Sequence, residues 1–229
     1  MRTIGMIGGM SWESTDIYYR VANELVRDRL GGLHSAKILL SSLDFEEISA
    51  LQRADEWERA GEVLAEHART LEAARADVVL ICTNTMHLLI EQVQDAVGVP
   101  VLHIGDVVAE AVKGQGLATV GLLGTAFTME KQFYRDRIAA HGIEVIVPAA
   151  PERAFIHHAI FDELACGVVN DTTRERFREI ISELTDRGAE GIILGCTEIE
   201  LLVAQDDSPV PVFPTARLHV EAAVDFALS

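Results

Sequence analysis

Ala76-Asp77-Val78-Val79-Leu80-Ile81-Cys82-Thr83-Asn84-Thr85 recurs without a gap as Ala189-Glu190-Gly191-Ile192-Ile193-Leu194-Gly195-Cys196-Thr197-Glu198, and Leu88-Leu89 then falls on Leu201-Leu202. Thr3-Ile4-Gly5-Met6-Ile7-Gly8-Gly9-Met10 likewise matches Thr119-Val120-Gly121-Leu122-Leu123-Gly124-Thr125-Ala126. A chain that repeats an apolar run, a Gly turn and a second apolar run ending in polar residues must fold as two similar halves. Two such halves imply a pseudo-twofold molecule. A cleft between them is approached by equivalent groups from opposite sides, which suits moving a proton between the two faces of one carbon.

The internal alignment also selects the facing pair. Gly195 matches Cys82, and Cys196 matches Thr83. Neighbouring side chains at a strand end point to opposite faces. If Cys196 faces a cleft, its partner is therefore Thr83, and Cys82 points into the fold.

Strands alternating with helices predict an α/β fold of two domains, each with a mostly parallel sheet. Short apolar runs at 3–7, 37–42 and 78–81 read as strands of the first half, with helices after Ser11 and over 55–74. The second half has strands at 118–123, 143–147, 191–194 and 210–213. Its helices are expected over 128–140, 155–164 and 173–187, with a last helix over 215–228. That helix is expected to return to the first half, giving domains 1–98 plus 210–229 and 99–209. Ligands in such folds sit at the carboxyl ends of strands. Met10, Thr83, Thr125 and Cys196 all fall there.

With 229 residues, 49% hydrophobic and 24% charged, the chain has the composition of an ordinary globule that buries roughly 70% of its unfolded surface. A net charge of −17 opposes binding to nucleic acid or anionic membrane surfaces. Three cysteines without a C-x-x-C spacing read as reduced thiols, and no apolar run approaches the roughly 20 residues of a membrane span. With no leader pattern at the amino terminus, a cytoplasmic protein is expected.

A cysteine after an apolar strand is usually a small hydrophobe, and Cys82 and Cys166 are read that way. Cys196 differs, because it follows Gly195 at a turn into a helix. Free N–H groups there would lower its pKa from about 8.5. Asn84 and Thr85 offer donors at a helix start, suited either to a substrate carboxylate or to simple capping. Gly8-Gly9 lacks the dinucleotide spacing G-x-G-x-x-G, the histidines lack metal-ligand spacing, and no lysine is placed for pyridoxal phosphate. No cofactor and no metal are expected.

The segments Ile4-Gly5-Met6-Ile7-Gly8-Gly9-Met10-Ser11-Trp12-Glu13-Ser14-Thr15, Cys82-Thr83-Asn84-Thr85-Met86-His87 and Gly195-Cys196-Thr197-Glu198-Ile199 resemble the aspartate/glutamate racemase family over nearly the whole chain. With Gly31-Gly32-Leu33-His34-Ser35, the likeness is greatest to its L-aspartate/glutamate-specific, broad-specificity branch. The resemblance implies two Rossmann-like domains related by pseudo-twofold symmetry, a homodimer, no cofactor and a small amino-acid substrate. It implies Thr83 and Cys196 as the catalytic pair, with Met10, Gln52, Asn84, Thr85, Thr125, Thr197 and Glu198 lining the substrate pocket. Relatives carry a second cysteine where Thr83 stands, and an aliphatic hydroxyl is a poor base. They also often supply a lysine near Ala165 and an arginine near Gln52, so Arg53 or a pocket of amides would have to take the acidic side chain. Two other readings remain open. One is a single-cysteine decarboxylase of the arylmalonate type; the other is an amino-acid-binding protein without turnover.

Overall fold

A computed structural model describes all 229 residues. The chain divides into two compact units, Met1–His103 with His219–Ser229, and Ile104–Leu218.

The first unit holds a three-stranded parallel sheet, β1 (Ile4–Gly8), β2 (Ile38–Ser42) and β3 (Val78–Ile81), in the order β2-β1-β3. Every residue of β1 and β3 is buried, which explains their unbroken apolar runs. Helix α1 (Trp12–Leu30) follows β1. Its N-cap Ser11 accepts the Ser14 N–H at 3.3 Å, and Gly31 ends it with φ +74°. The turn between them requires Gly9: its φ is +89°, and a Cβ there would lie 2.1 Å from the Leu43 carbonyl oxygen. A short helix α2 (Phe45–Arg53) precedes α3 (Trp57–Ala73). The latter buries Ala60, Leu64, Ala68 and Leu71, one stripe at helical spacing, within the core that contains Ile7, Val79 and Ile81. Helix α4 (Ile90–Asp95) completes this part of the chain.

The second unit has a four-stranded parallel sheet in the order β5-β4-β6-β7, with β4 (Thr119–Gly124), β5 (Glu144–Ile146), β6 (Gly191–Gly195) and β7 (Val212–Pro214). Its helices are α5 (Ile104–Gly114), α6 (Ala126–Glu130), α7 (Gln132–Ala139), α8 (Ala150–His158) and α9 (Asp171–Asp186). The last helix, α10 (Thr215–Leu228), begins here and ends in the first unit.

The sequence repeats become structural repeats down to register. Strand β1 meets β3 at Ile4↔Val78 and Ile7↔Ile81, and β4 meets β6 at Val120↔Gly191 and Leu123↔Leu194, which are the positions the repeats equate. Even the acidic residue before the strand behaves alike. Asp77 N–H donates to the Thr3 carbonyl and its carboxylate accepts the Thr3 N–H; Glu190 does both with Thr119.

Three expectations need correction. The unit boundaries fall at 103/104 and 218/219, not at 98/99 and 209/210. Pro100 and Leu102 hydrogen-bond to Val79, keeping the segment before 104 with the first sheet, while β7 pairs with β6 and stays in the second. The helix expected over 128–140 is broken at Lys131, whose ψ of 139° is extended. The helix expected over 155–164 starts at Ala150, with Pro151 in its first turn, and passes into a π-turn over Ala159–Glu163.

Candidate active site

In the first unit the residues after β3 leave the sheet in a tightly anchored turn. Cys82 is fully buried, its N–H bonded to the Ile7 carbonyl, and burial pushes its thiol pKa far up. It is the inward-facing small hydrophobe expected from the alternation. Thr83 next to it is half-buried. Its N–H donates to the Ile81 carbonyl at 2.8 Å, and its own carbonyl accepts the His87 Nδ1–H at 2.8 Å. Asn84 and Thr85 are buried at the start of a 3-10 helix, Thr85–Leu89. The Asn84 side chain makes no capping hydrogen bond, so the simple N-cap reading of this residue fails.

Gln52 reaches this turn from α2, its Nε2 lying 3.0 Å from Met86 Sδ, and Met10 packs in the same apolar cluster as Met86. The first unit thus carries Asn84 and Thr85 just beyond β3, with Gln52 against Met86 and Met10 in the apolar cluster that contains Met86. Arg53 is different. It is exposed and bonded to Ser49 Oγ at 2.7 Å and Glu46 Oε1 at 2.5 Å.

In the second unit Cys196 ends β6 and leads into a 3-10 helix, Thr197–Leu201. Gly195 before it has no room for a side chain: a Cβ would meet Leu122 Cδ1 at 2.8 Å and the Leu123 carbonyl oxygen at 2.9 Å. Cys196 is 8% exposed, and its Sγ donates to Glu198 Oε2 at 2.9 Å. Thr197 Oγ1 donates to the same oxygen, also at 2.9 Å, and Glu198 is itself buried. The expected low pKa is not found. Burial, and then the adjoining Glu198 carboxylate, push the thiol pKa well above its ordinary value; the Glu198 backbone N–H pulls the other way but is outweighed. The turn offers the sulfur a carboxylate before it offers a helix's positive end.

Thr125 lies in the same unit but caps α6, accepting the Thr128 N–H at 3.3 Å, with its Oγ1 3.2 Å from Thr128 Oγ1. His157, which by spacing alone is no more than an unsuitable metal ligand, accepts the Ala126 N–H at 3.3 Å beside it. Burial lowers its pKa, consistent with a neutral acceptor. Glu200 was not foreseen either. Burial raises its carboxyl pKa to about 7, while its Oε1 accepts the Ala216 N–H at 3.1 Å at the start of α10. The spacing Cys196-x-Glu198-x-Glu200 carried that signal, but an acidic pair after a strand reads equally well as a solvated turn.

A buried thiol bonded to a buried carboxyl group closes β6 in one α/β unit, and a hydroxyl stands at the equivalent strand end, after β3, in the other. The sequence profile of Asp/Glu/Hydantoin racemases matches residues 7–223. A candidate Asp/Glu racemase from Yersinia pestis has 48% identity and a TM-score of 0.94, and an aspartate racemase homologue from Pyrococcus horikoshii OT3 has 36% and 0.89; each alignment covers 100% of both chains. The broad specificity amino-acid racemase RacX of Bacillus subtilis is 23% identical over 179 residues, 76% of this chain and 74% of that protein. The chain belongs to the Asp/Glu/Hydantoin racemase family. It is an isomerase, an amino-acid racemase of the cofactor-independent type. No helix is long and apolar enough to cross a membrane.

Proposed function

We propose that the protein interconverts the L and D forms of aspartate or glutamate, with Cys196 and Thr83 serving opposite faces of the α-carbon. The hydrogen bond from Cys196 Sγ to Glu198 Oε2, 2.9 Å, carries this reading. At rest Cys196 is a thiol, because burial and the neighbouring carboxyl group raise its pKa and disfavour thiolate. Glu198 accepts the thiol proton as substrate binds, and the thiolate so formed removes the α-proton of the L enantiomer. The carbanion is planar at carbon, and the Thr83 hydroxyl returns a proton to the other face; the proton held by Glu198 then passes through water to Thr83, which leaves thiol, carboxylate and hydroxyl as they began. Asn84, Thr85 and Thr197 supply donors for the charge that develops on the substrate carboxylate. Met10, Gln52 and Thr125 shape the pocket on the strength of the family resemblance.

Both enantiomers have equal free energy in water, so the hydroxyl at Thr83 alters rates and not the equilibrium. Thr83→Cys is expected to speed the D-to-L direction about tenfold or more, since a thiol ionises where a hydroxyl does not. Initial rates measured from each enantiomer separately check this, and an unchanged D-side rate would remove Thr83 from the pair.

The test of the whole reading is incubation of the purified protein with L-aspartate and L-glutamate in D₂O, without added cofactor. The α-proton signal should fade while the D enantiomer accumulates. Release of carbon dioxide from an arylmalonate, without exchange in amino acids, would replace the racemase by the decarboxylase; tight binding without exchange would leave a binding protein. We also propose a homodimer. Exposed Trp12 and Tyr19, seven residues apart on α1, give that helix an aromatic outer face. Trp12→Glu should then lower the sedimenting mass by half, and a wild-type monomer would exclude it.

A further inference from the structure

Two carbonyls beyond the end of β3 are held by side chains and not by the sheet. Ser14 Oγ donates to the Cys82 carbonyl at 2.8 Å, and His87 Nδ1 donates to the Thr83 carbonyl at 2.8 Å. Because a carbonyl can only accept, His87 carries its proton on Nδ1 and presents a lone pair at Nε2. That Nε2 is buried without a hydrogen-bond partner. Buried polar atoms of this kind are uncommon and call for an explanation.

The neighbours of the ring narrow the explanation. His103 and His219 pack on it, with ring centroids 5.2 and 5.4 Å away. The nearby imidazoles do not form a metal site: His219 has Nδ1 bonded to Tyr18 Oη at 2.9 Å and Nε2 to the Leu102 carbonyl at 3.0 Å, so neither nitrogen is left to coordinate. A phenyl ring would fill the same space without burying an unpaired lone pair. The hydrogen bond the imidazole adds within 3 Å is the Nδ1–H bond to Thr83, with the Leu102 carbonyl a further polar neighbour of the ring.

We propose that His87 is a positioning residue for Thr83: by fixing the Thr83 carbonyl, it aims the Thr83 side chain at the face of the substrate that Thr83 reprotonates. The proposal rests on the reading of Thr83 as the proton donor given above. Its effect is confined to one half of the reaction, because Cys196 is carried by a different strand and a different turn.

The test compares wild type with His87→Asn, whose amide nitrogen lies near the position of Nδ1 and can still donate, and His87→Leu, which cannot. With L-aspartate in D₂O, His87→Leu should form D-aspartate about 10- to 100-fold more slowly, while wash-out of the L-aspartate α-proton stays within about threefold. His87→Asn should recover most of the loss. Equal falls in both rates for His87→Leu would overturn the proposal, as would an Asn variant that melts like wild type and is no faster than the Leu variant. The ¹⁵N spectrum of His87 in the wild-type protein decides the tether independently of turnover. Protonated Nδ1 with bare Nε2 is expected, and the opposite tautomer would overturn it. A wild type that exchanges no amino acid would sink the racemase reading, and that spectrum alone would then decide whether the tether exists.

Discussion

Cys196→Ala is expected to abolish α-proton exchange from L-aspartate, with a fall of at least about 10³-fold, or about 4 kcal/mol of barrier. The expectation rests on the absence of a substitute at that position. Thr197 Oγ1 already donates to Glu198, and an aliphatic hydroxyl does not ionise near neutral pH. Cys82 cannot take over, being fully buried with its thiol pKa pushed far up. Removing one sulfur atom from a packed site costs about 1 kcal/mol of stability, so the variant should stay folded. Substrate affinity should change little, since Asn84, Thr85 and Thr197 remain. NMR in D₂O gives the rate, and Cys82→Ala serves as the matched loss of a thiol that leaves the rate near wild type. A Cys196→Ala protein that keeps more than a tenth of the exchange rate would end the assignment.

Glu198→Gln comes next in size, with an expected fall in kcat of about 10²- to 10³-fold at neutral pH. Gln keeps the shape and can still meet the Thr197 hydroxyl, but it cannot accept the thiol proton. The pH profile distinguishes this from a packing defect. The carboxylate is one cause of the raised Cys196 pKa, so its removal brings the thiol pKa down, while burial still holds it high. The thiol must then ionise to solvent, and the variant's rate should climb steadily with pH and approach wild type in base. A Glu198→Gln enzyme with the wild-type rate and profile would remove Glu198 as the acceptor of the thiol proton.

Much of the architecture could be read from the chain. The repeated decapeptides anticipated two parallel sheets, and the equated positions Val78 and Gly191 do pair with Ile4 and Val120. The reason is local. Apolar runs closed by small residues read as buried parallel strands, and an ungapped repeat makes the register that one half adopts recur in the other. The inward direction of Cys82 followed from the same alternation. Helix ends were less legible. Lys131 breaks one predicted helix and Ala150 begins another early, because packing and chain reversal decide there against the apolar period.

The state of the thiol was beyond sequence. The residues Gly195-Cys196-Thr197-Glu198 suggest a helix start that favours thiolate, and the folded turn instead sets a buried sulfur 2.9 Å from a buried carboxylate. Burial and a neighbouring carboxyl group outweigh a single N–H, so the pKa shift is upward where the turn alone would make it downward. The bond from His87 to Thr83 was equally hidden. A histidine four residues after a threonine has many possible partners, and only the 3-10 turn and the packing of His103 and His219 select the carbonyl. The sequence by itself determined the two-unit α/β plan, the correspondence between its halves and the equivalence of Thr83 with Cys196, because those depend on periodicity and alternation. Tertiary structure alone decided which groups share protons, because hydrogen bonds and burial depend on distances that no spacing along the chain encodes.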